Sequence, residues 1–470
     1  MPRGMRTSTL FIVVLAGCGG STKSEPIKVA PPADPVVAYE QPPVAPADPV
    51  PVEDPAVTTR KRAEAALARI PTIKTALATL RGLAFKQEVP AEYQPTEEFR
   101  AFVDGEVATE LPAAKAEPLA TALHHIGLLA TPIDLAKTLG DAFVSQAGAY
   151  YDPKQKKFFI VMVPTAEIAL DTISAHELTH ALQDQHFNLE TYLSPKNKPL
   201  DEDQANARKF IVEGEATLTM FAYAGGQSLP AGTSMLDAKT LPMFKMALKA
   251  GAAMTIDDFK TMTKQQAAGA AIDPEIQKSL DAMDAIPPVI LVPLLDSYMK
   301  GSVAVLAAFE AGGWTEVANL YKNPPQSTEQ VLHPDTKLYP KRDLPKAVTL
   351  PKLAGFTEVY SNTIGELEWR VYFMLWKKAV AEKAAEGWDG DRFSVVKGKD
   401  GGLVGLVVTT WDTPEDATEF ATEYAETVAN RFPKQERKAW VKVKGSTVYV
   451  VDGGTDDKLI DKLIKGTKVK

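Results

Sequence analysis

Cysteine is all but missing from this chain: Cys18 is the only one among 470 residues, so no disulfide can form within it. Histidine is scarce as well, six in all, yet three of the six fall within residues 173–187, ISAHELTHALQDQHF. No basic patch breaks the mild formal net charge of −8, which argues against nucleic acid, and against an anionic membrane surface held by charge, as partners. Past the first twenty residues, no uninterrupted apolar run reaches the ~18 residues that a membrane-spanning helix requires. What remains is ordinary for a folded protein, 45% apolar and 24% charged, and 470 residues exceed what one hydrophobic core serves, so two or three domains are expected.

At the N-terminus, Arg3 and Arg6 precede an apolar stretch at 9–16, TLFIVVLA, too short to cross a bilayer but suited to a secretory signal. Leu15-Ala16-Gly17-Cys18 follows, and it resembles the lipobox of bacterial lipoproteins, in which processing leaves the cysteine as a lipidated N-terminus. The resemblance implies a signal peptide at 1–17, a lipid on Cys18 and an exported protein anchored at the cell envelope. Gly19 after the cysteine resembles lipoproteins sent on to the outer membrane. Residues 18–59 are rich in Pro, Ala, Val and Asp, with ADPV at both Ala33 and Ala47. Such a segment buries too little apolar surface to fold and is biased to extended polyproline II, so it reads as a tether.

Residues 60–140 read as a helical N-terminal region: a helix at 60–83 broken at Pro71, then helices at 97–110 and 113–129. His124 and His125, in the last of these, are adjacent and point about 100° apart on a helix, a poor chelating pair suited to packing. Next, 149–164 reads as a hairpin with its turn at Asp152-Pro153 and a strand at 157–163, a strand that can pair with an added peptide. Thr165 can cap the helix that follows.

On that helix His176 and His180 are four residues apart, on one face and close enough to share a single ion, with Glu177 beside them to accept a proton from water. This H-E-x-x-H order is that of zinc peptidases. A third ligand has three sources. His186 has the spacing of metzincin peptidases, but Gln183, a good helix former, stands where that pattern has a helix-breaking glycine, and on an unbroken helix His186 lies about 120° away from the pair. Glu213 and Glu215 lie on a second helical pattern at 206–221, about 200° apart around it, so both cannot face one ion.

The words HELTHALQDQ and VEGEA resemble the gluzincin peptidases, whose third ligand is a glutamate on a later helix. By that resemblance Glu213 is the ligand, the metal is one zinc ion, Glu177 is the general base and the substrate is a peptide or protein. Thr217 stands where many gluzincins carry Asp or Asn to support the site. PPQSTEQVLHP at 324–334 and GWDGDR at 387–392 resemble a group of uncharacterised bacterial H-E-x-x-H lipoproteins and secreted proteins, a likeness that spans most of 75–430 but carries no known substrate. Peptide hydrolysis also needs a donor for the developing oxyanion, for which Tyr298 and His333 are the candidates.

From 343 onward the pattern changes to an α+β one: a helix at 364–386, strands at 393–397 and 403–411, a helix capped by Thr413 with Pro414 at its first position, strands within 440–451 and a last helix from Asp456. The chain as a whole is thus expected to be α+β and mainly helical, with a zincin-like core at 141–342 formed by a strand, the H-E-x-x-H helix and a second ligand helix, and an α+β domain at 343–470. The expected activity is zinc-dependent peptide-bond hydrolysis at the envelope. The alternative is a non-catalytic zinc-binding or peptidase-like scaffold.

Overall fold

The computed structural model describes residues 55–161, 167–266, 274–434, 436–454 and 457–470. Cys18, the signal peptide, the tether up to residue 54, the last two residues of the expected strand at 157–163, and Thr165 lie outside the described residues.

Helix α1 (Pro55–Arg81) buries Ala63, Ala66, Ile70, Ile73 and Leu77, a stripe at intervals of three and four that packs on Leu170, Ile173 and Leu178. The break expected at Pro71 does not occur. A proline inside a helix costs about 3 kcal/mol, and the stripe buried on both sides of Pro71 outweighs it. After α1 come β1 (Ala91–Tyr93), α2 (Thr96–Glu110), α3 (Ala113–Ile126) and α4 (Leu135–Gln146), then the hairpin of β2 (Ala149–Asp152) and β3 (Lys157–Ile160). The side chain of Asp152 accepts from the amides of Lys154 and Gln155 and so closes the turn, as its Asp-Pro sequence implies. Strand order is β1-β3-β2, with β1 parallel and β2 antiparallel to β3. An added peptide therefore cannot pair with β3, contrary to expectation, because both of its edges are taken; the sheet also joins residues on either side of 140.

Helix α5 (Glu167–Phe187) carries the H-E-x-x-H sequence and runs unbroken through Gln183. Short α6 (Leu189–Leu193) leads to α7 (Glu202–Gly226), whose first turn is capped by Asp201. Then follow α8 (Leu241–Ala252), α9 (Ile256–Gln266), α10 (Pro274–Ala282), the long apolar α11 (Pro288–Lys322) and short α12 (Thr328–Leu332). By length and composition α11 could cross a membrane, but over half of its most apolar window is buried inside the protein, as in a core helix. It lies along α7, and the two backbones touch at Gly214 and Gly301, where a Cβ on either would run into the other chain segment. That close crossing explains the glycine between Glu213 and Glu215.

In the C-terminal part, β5 (Phe356–Asn362), β6 (Trp388–Gly398), β7 (Leu403–Trp411), β8 (Ala439–Lys444) and β9 (Thr447–Asp452) form an antiparallel sheet ordered β5-β6-β7-β9-β8, numbered after the two-residue β4 (Val348–Thr349), which pairs with β10 (Lys468–Val469). Helices α13 (Gly365–Lys377) and α14 (Pro414–Arg431) cover one face through Trp369, Tyr372, Phe420 and Tyr424, and α15 (Lys458–Gly466) covers the other through Leu459, Ile460 and Leu463. Thr413 and Asp416 form a reciprocal cap on α14 with Pro414 at its start. Among the described residues 59% are helical and 14% in strands, so the protein is α+β and mainly helical.

Candidate metal centre

The face of α5 that holds the two histidines is turned inward, and His176, Glu177 and His180 are fully buried. Across from them α7 presents Glu213, whose Oε2 lies 3.2 Å from His176 Nε2 and 3.4 Å from His180 Nε2. One donor atom from each of the three lies within 4.8 Å of the others. Of the three sources for a third ligand, the structure thus brings Glu213 to the pair. His186 points away around the unbroken helix, its Nε2 2.8 Å from the carbonyl of Ala84. Glu215 points elsewhere too, as the helical geometry requires: it is bound by Arg81, by the hydroxyl of Tyr321 and by Gln183 Nε2 at 3.2 Å.

Charge at the cluster suits a divalent cation. Burial pushes the His176 imidazole down to about 4, which leaves it neutral at physiological pH and able to ligate. Burial alone would raise the Glu213 carboxyl, but His180 and the hydrogen bond from His176 outweigh it and hold the group at about 2. Two imidazole nitrogens and an ionised carboxylate oxygen, all buried, are a donor set that fits zinc and supplies three of its usual four ligands.

Buried polar atoms near the donors without a hydrogen-bond partner among the described residues include His176 Nδ1, Glu177 Oε1 and the hydroxyl of Tyr298. The second oxygen of Glu177 accepts the backbone N–H of Tyr151 at 2.8 Å, so the carboxylate is oriented at one end and open at the other. Burial, and then the charge of Glu213, push the Glu177 carboxyl well above the usual range. Tyr298 comes from α11, one turn before the Gly301 crossing, and its ring centroid lies 5.5 Å from that of His176. Burial, Glu213 and Glu177 all push its phenol upward, so it stays protonated. The other candidate donor, His333, is seated on α13 instead, 2.8 Å from Glu366 Oε1 and 3.1 Å from Arg370 Nη2. His124 and His125 bond to the carbonyls of Leu129 and Asp452, in packing roles.

Sequence reasoning passed over the residue that orients His180. Gln183 Nε2 donates to the carbonyl of Val212 at 3.0 Å and to Glu215, so its Oε1 must be the acceptor for His180 Nδ1, 2.8 Å away. That fixes the hydrogen on Nδ1 and aims the lone pair of Nε2 toward Glu213. The signal was present, since a polar residue three positions after a helical histidine shares its face. Nothing local, however, could link Arg81 and Tyr321 to the same network, and Thr217, four residues after Glu213, has a buried hydroxyl without a partner among the described residues.

Comparison with known proteins bears on a different part of the molecule. The family model described as "Domain of unknown function (DUF8575)" matches residues 352–462, which covers the C-terminal sheet and most of its helices and none of the three clustered donors. No curated protein and no solved structure matches the chain.

Proposed function

We propose that this protein is a gluzincin-type zinc peptidase with a zincin-like core, lipid-anchored through Cys18 at the cell envelope of a bacterium. The observation that carries the reading is the convergence of His176, His180 and Glu213 beside a Glu177 oxygen without a hydrogen-bond partner among the described residues. Zinc would be held by those three side chains. When bound, it supplies Lewis acidity, bringing the pKa of water toward ~7 and polarising a carbonyl. Glu177 Oε1 takes the proton from water and passes it to the leaving amine, while the Tyr151 amide holds Oε2 in place. Tyr298 keeps its O–H and donates it to the oxyanion. Gln183 holds His180 in the tautomer that ligation requires.

One observation favours a second reading, a zinc-binding protein without catalysis: every member of the cluster is buried. Against it, structural zinc sites close their coordination with four protein ligands and leave no base beside the metal. The two readings part on Glu177→Gln. For a peptidase, zinc stays near one equivalent while hydrolysis of unfolded casein falls by about 100-fold or more. Chelator-insensitive hydrolysis, or none by the native protein, removes the peptidase reading.

A further inference from the structure

A cavity of about 210 Å³ begins at Glu213 and extends away from the zinc ligands. Most of its wall is apolar and comes from three regions: Leu119 and Leu139 of the N-terminal helices, Pro293 and Leu294 of α11, and Tyr360 and Phe393 of the C-terminal sheet. Against this wall runs one polar stripe of α7, Glu202, Asn206, Lys209 and Glu213, at intervals of four, three and four, a single helix face. Glu368 of α13 joins it at the end away from the metal ligands.

The histidines hold Glu213, but the far end of this polar stripe is left short of protein partners. Glu368 is 7% exposed and its Oε2 has no partner among the described residues. Glu202 and Lys209, both half-buried, show no side-chain hydrogen bond or close ion pair among the described residues, and the charge of Lys209 is felt by Glu202 and Glu213. Burial, then the charge of Asp201, push Glu202 up to about 7, and burial, then Glu202, push Glu368 well above the usual range. Burial lowers Lys209, with Glu213 and Glu202 opposing. Unpaired ionisable groups along an apolar cavity are costly unless a ligand completes them. Their order is definite: the cation lies one turn from the metal ligand Glu213, and Glu202 lies seven residues further, about 10 Å along the helix axis, with Glu368 of α13 close enough to feel its charge.

We propose that this cavity binds an ω-amino carboxylate, with its carboxylate on Lys209, its aliphatic stem along the leucine wall and its ammonium or guanidinium between Glu202 and Glu368. If the peptidase reading holds, on which this step rests, the ligand is the C-terminal lysine or arginine of a peptide, cut from the chain end at the adjoining zinc. Lys209 recognises the free terminal carboxylate, and the acid pair recognises the side chain.

Calorimetric titration of the full-length protein with 6-aminohexanoate, hexanoate and hexylamine tests the pocket without any hydrolysis. The amino acid should bind about tenfold or more tightly than either singly charged probe, as a charge-assisted hydrogen bond at each end requires. Glu368→Gln should weaken 6-aminohexanoate about tenfold and leave hexanoate unchanged, while Lys209→Met should weaken it similarly and leave hexylamine unchanged. The probe that keeps its affinity shows that each variant is folded. Equal affinity for all three probes, no binding, or variants that weaken all probes alike would overturn the proposal. Peptides ending in free lysine or its amide separate the two readings: binding without cleavage of either overturns peptidase action and leaves the pocket, whereas casein hydrolysis without 6-aminohexanoate binding overturns the pocket alone.

Discussion

Asp391 in the C-terminal domain and Glu177 beside the metal donors are both buried carboxylates, but the protein treats them in opposite ways. Asp391 accepts four hydrogen bonds, from the amides of Ile364 at 2.8 Å and Gly365 at 3.0 Å and from the indoles of Trp369 at 3.0 Å and Trp388 at 2.8 Å. It ties the start of α13 to β6 and has nothing left to offer a ligand. Glu177 accepts one amide and keeps an oxygen in reserve, next to a histidine nitrogen and a tyrosine hydroxyl in the same condition. A buried acid surrounded by donors builds a domain; a buried acid left short of them is where chemistry is to be sought.

The sharpest test of this contrast removes one acid from each region. Glu213→Ala should take bound zinc from near one equivalent to near none, measured by atomic emission, while His186→Ala keeps the full complement. Asp391→Ala should keep the zinc but lose about 3 kcal/mol or more in urea unfolding, since four buried donors are stranded at once. If Asp391→Ala also lost the metal, the two regions would be coupled and the contrast would fail. The acids of the cavity lie between these extremes. Glu202 is held near 7 against an ordinary 4.5, so its share of stability is complete below pH 4.5 and is lost as pH rises through 7. Glu202→Gln should therefore match the native protein at pH 4.5 and exceed it at pH 8, by up to about 3 kcal/mol at 1.36 kcal/mol per pKa unit. A stability difference that is flat from pH 4.5 to 8 would count against a buried Glu202. Gln183→Leu, close in volume but without the acceptor for His180 Nδ1, should weaken zinc by about 10- to 100-fold in competition with a chelating indicator.

What could be read from sequence was local. His176 and His180 share a face because four residues make one helical turn, Glu213 and Glu215 diverge because two do not, and β7 could be bounded at Leu403 and Trp411 because its apolar run ends at a cap. What could not be read depends on partners far along the chain. The aromatic and β-branched run from Lys157 marks a strand but not that β1, more than sixty residues earlier, would take its free edge. Pro71 signals a break, and only the stripe packed against α5 shows why the helix continues. Arg81 gives no hint in its own neighbourhood that it will neutralise Glu215, 134 residues away.

The backbone contact between Gly214 and Gly301 also sets a distance in the site. At the crossing no side-chain layer separates α7 from α11, so main-chain contact sets the distance between the helices from which Glu213 and Tyr298 project.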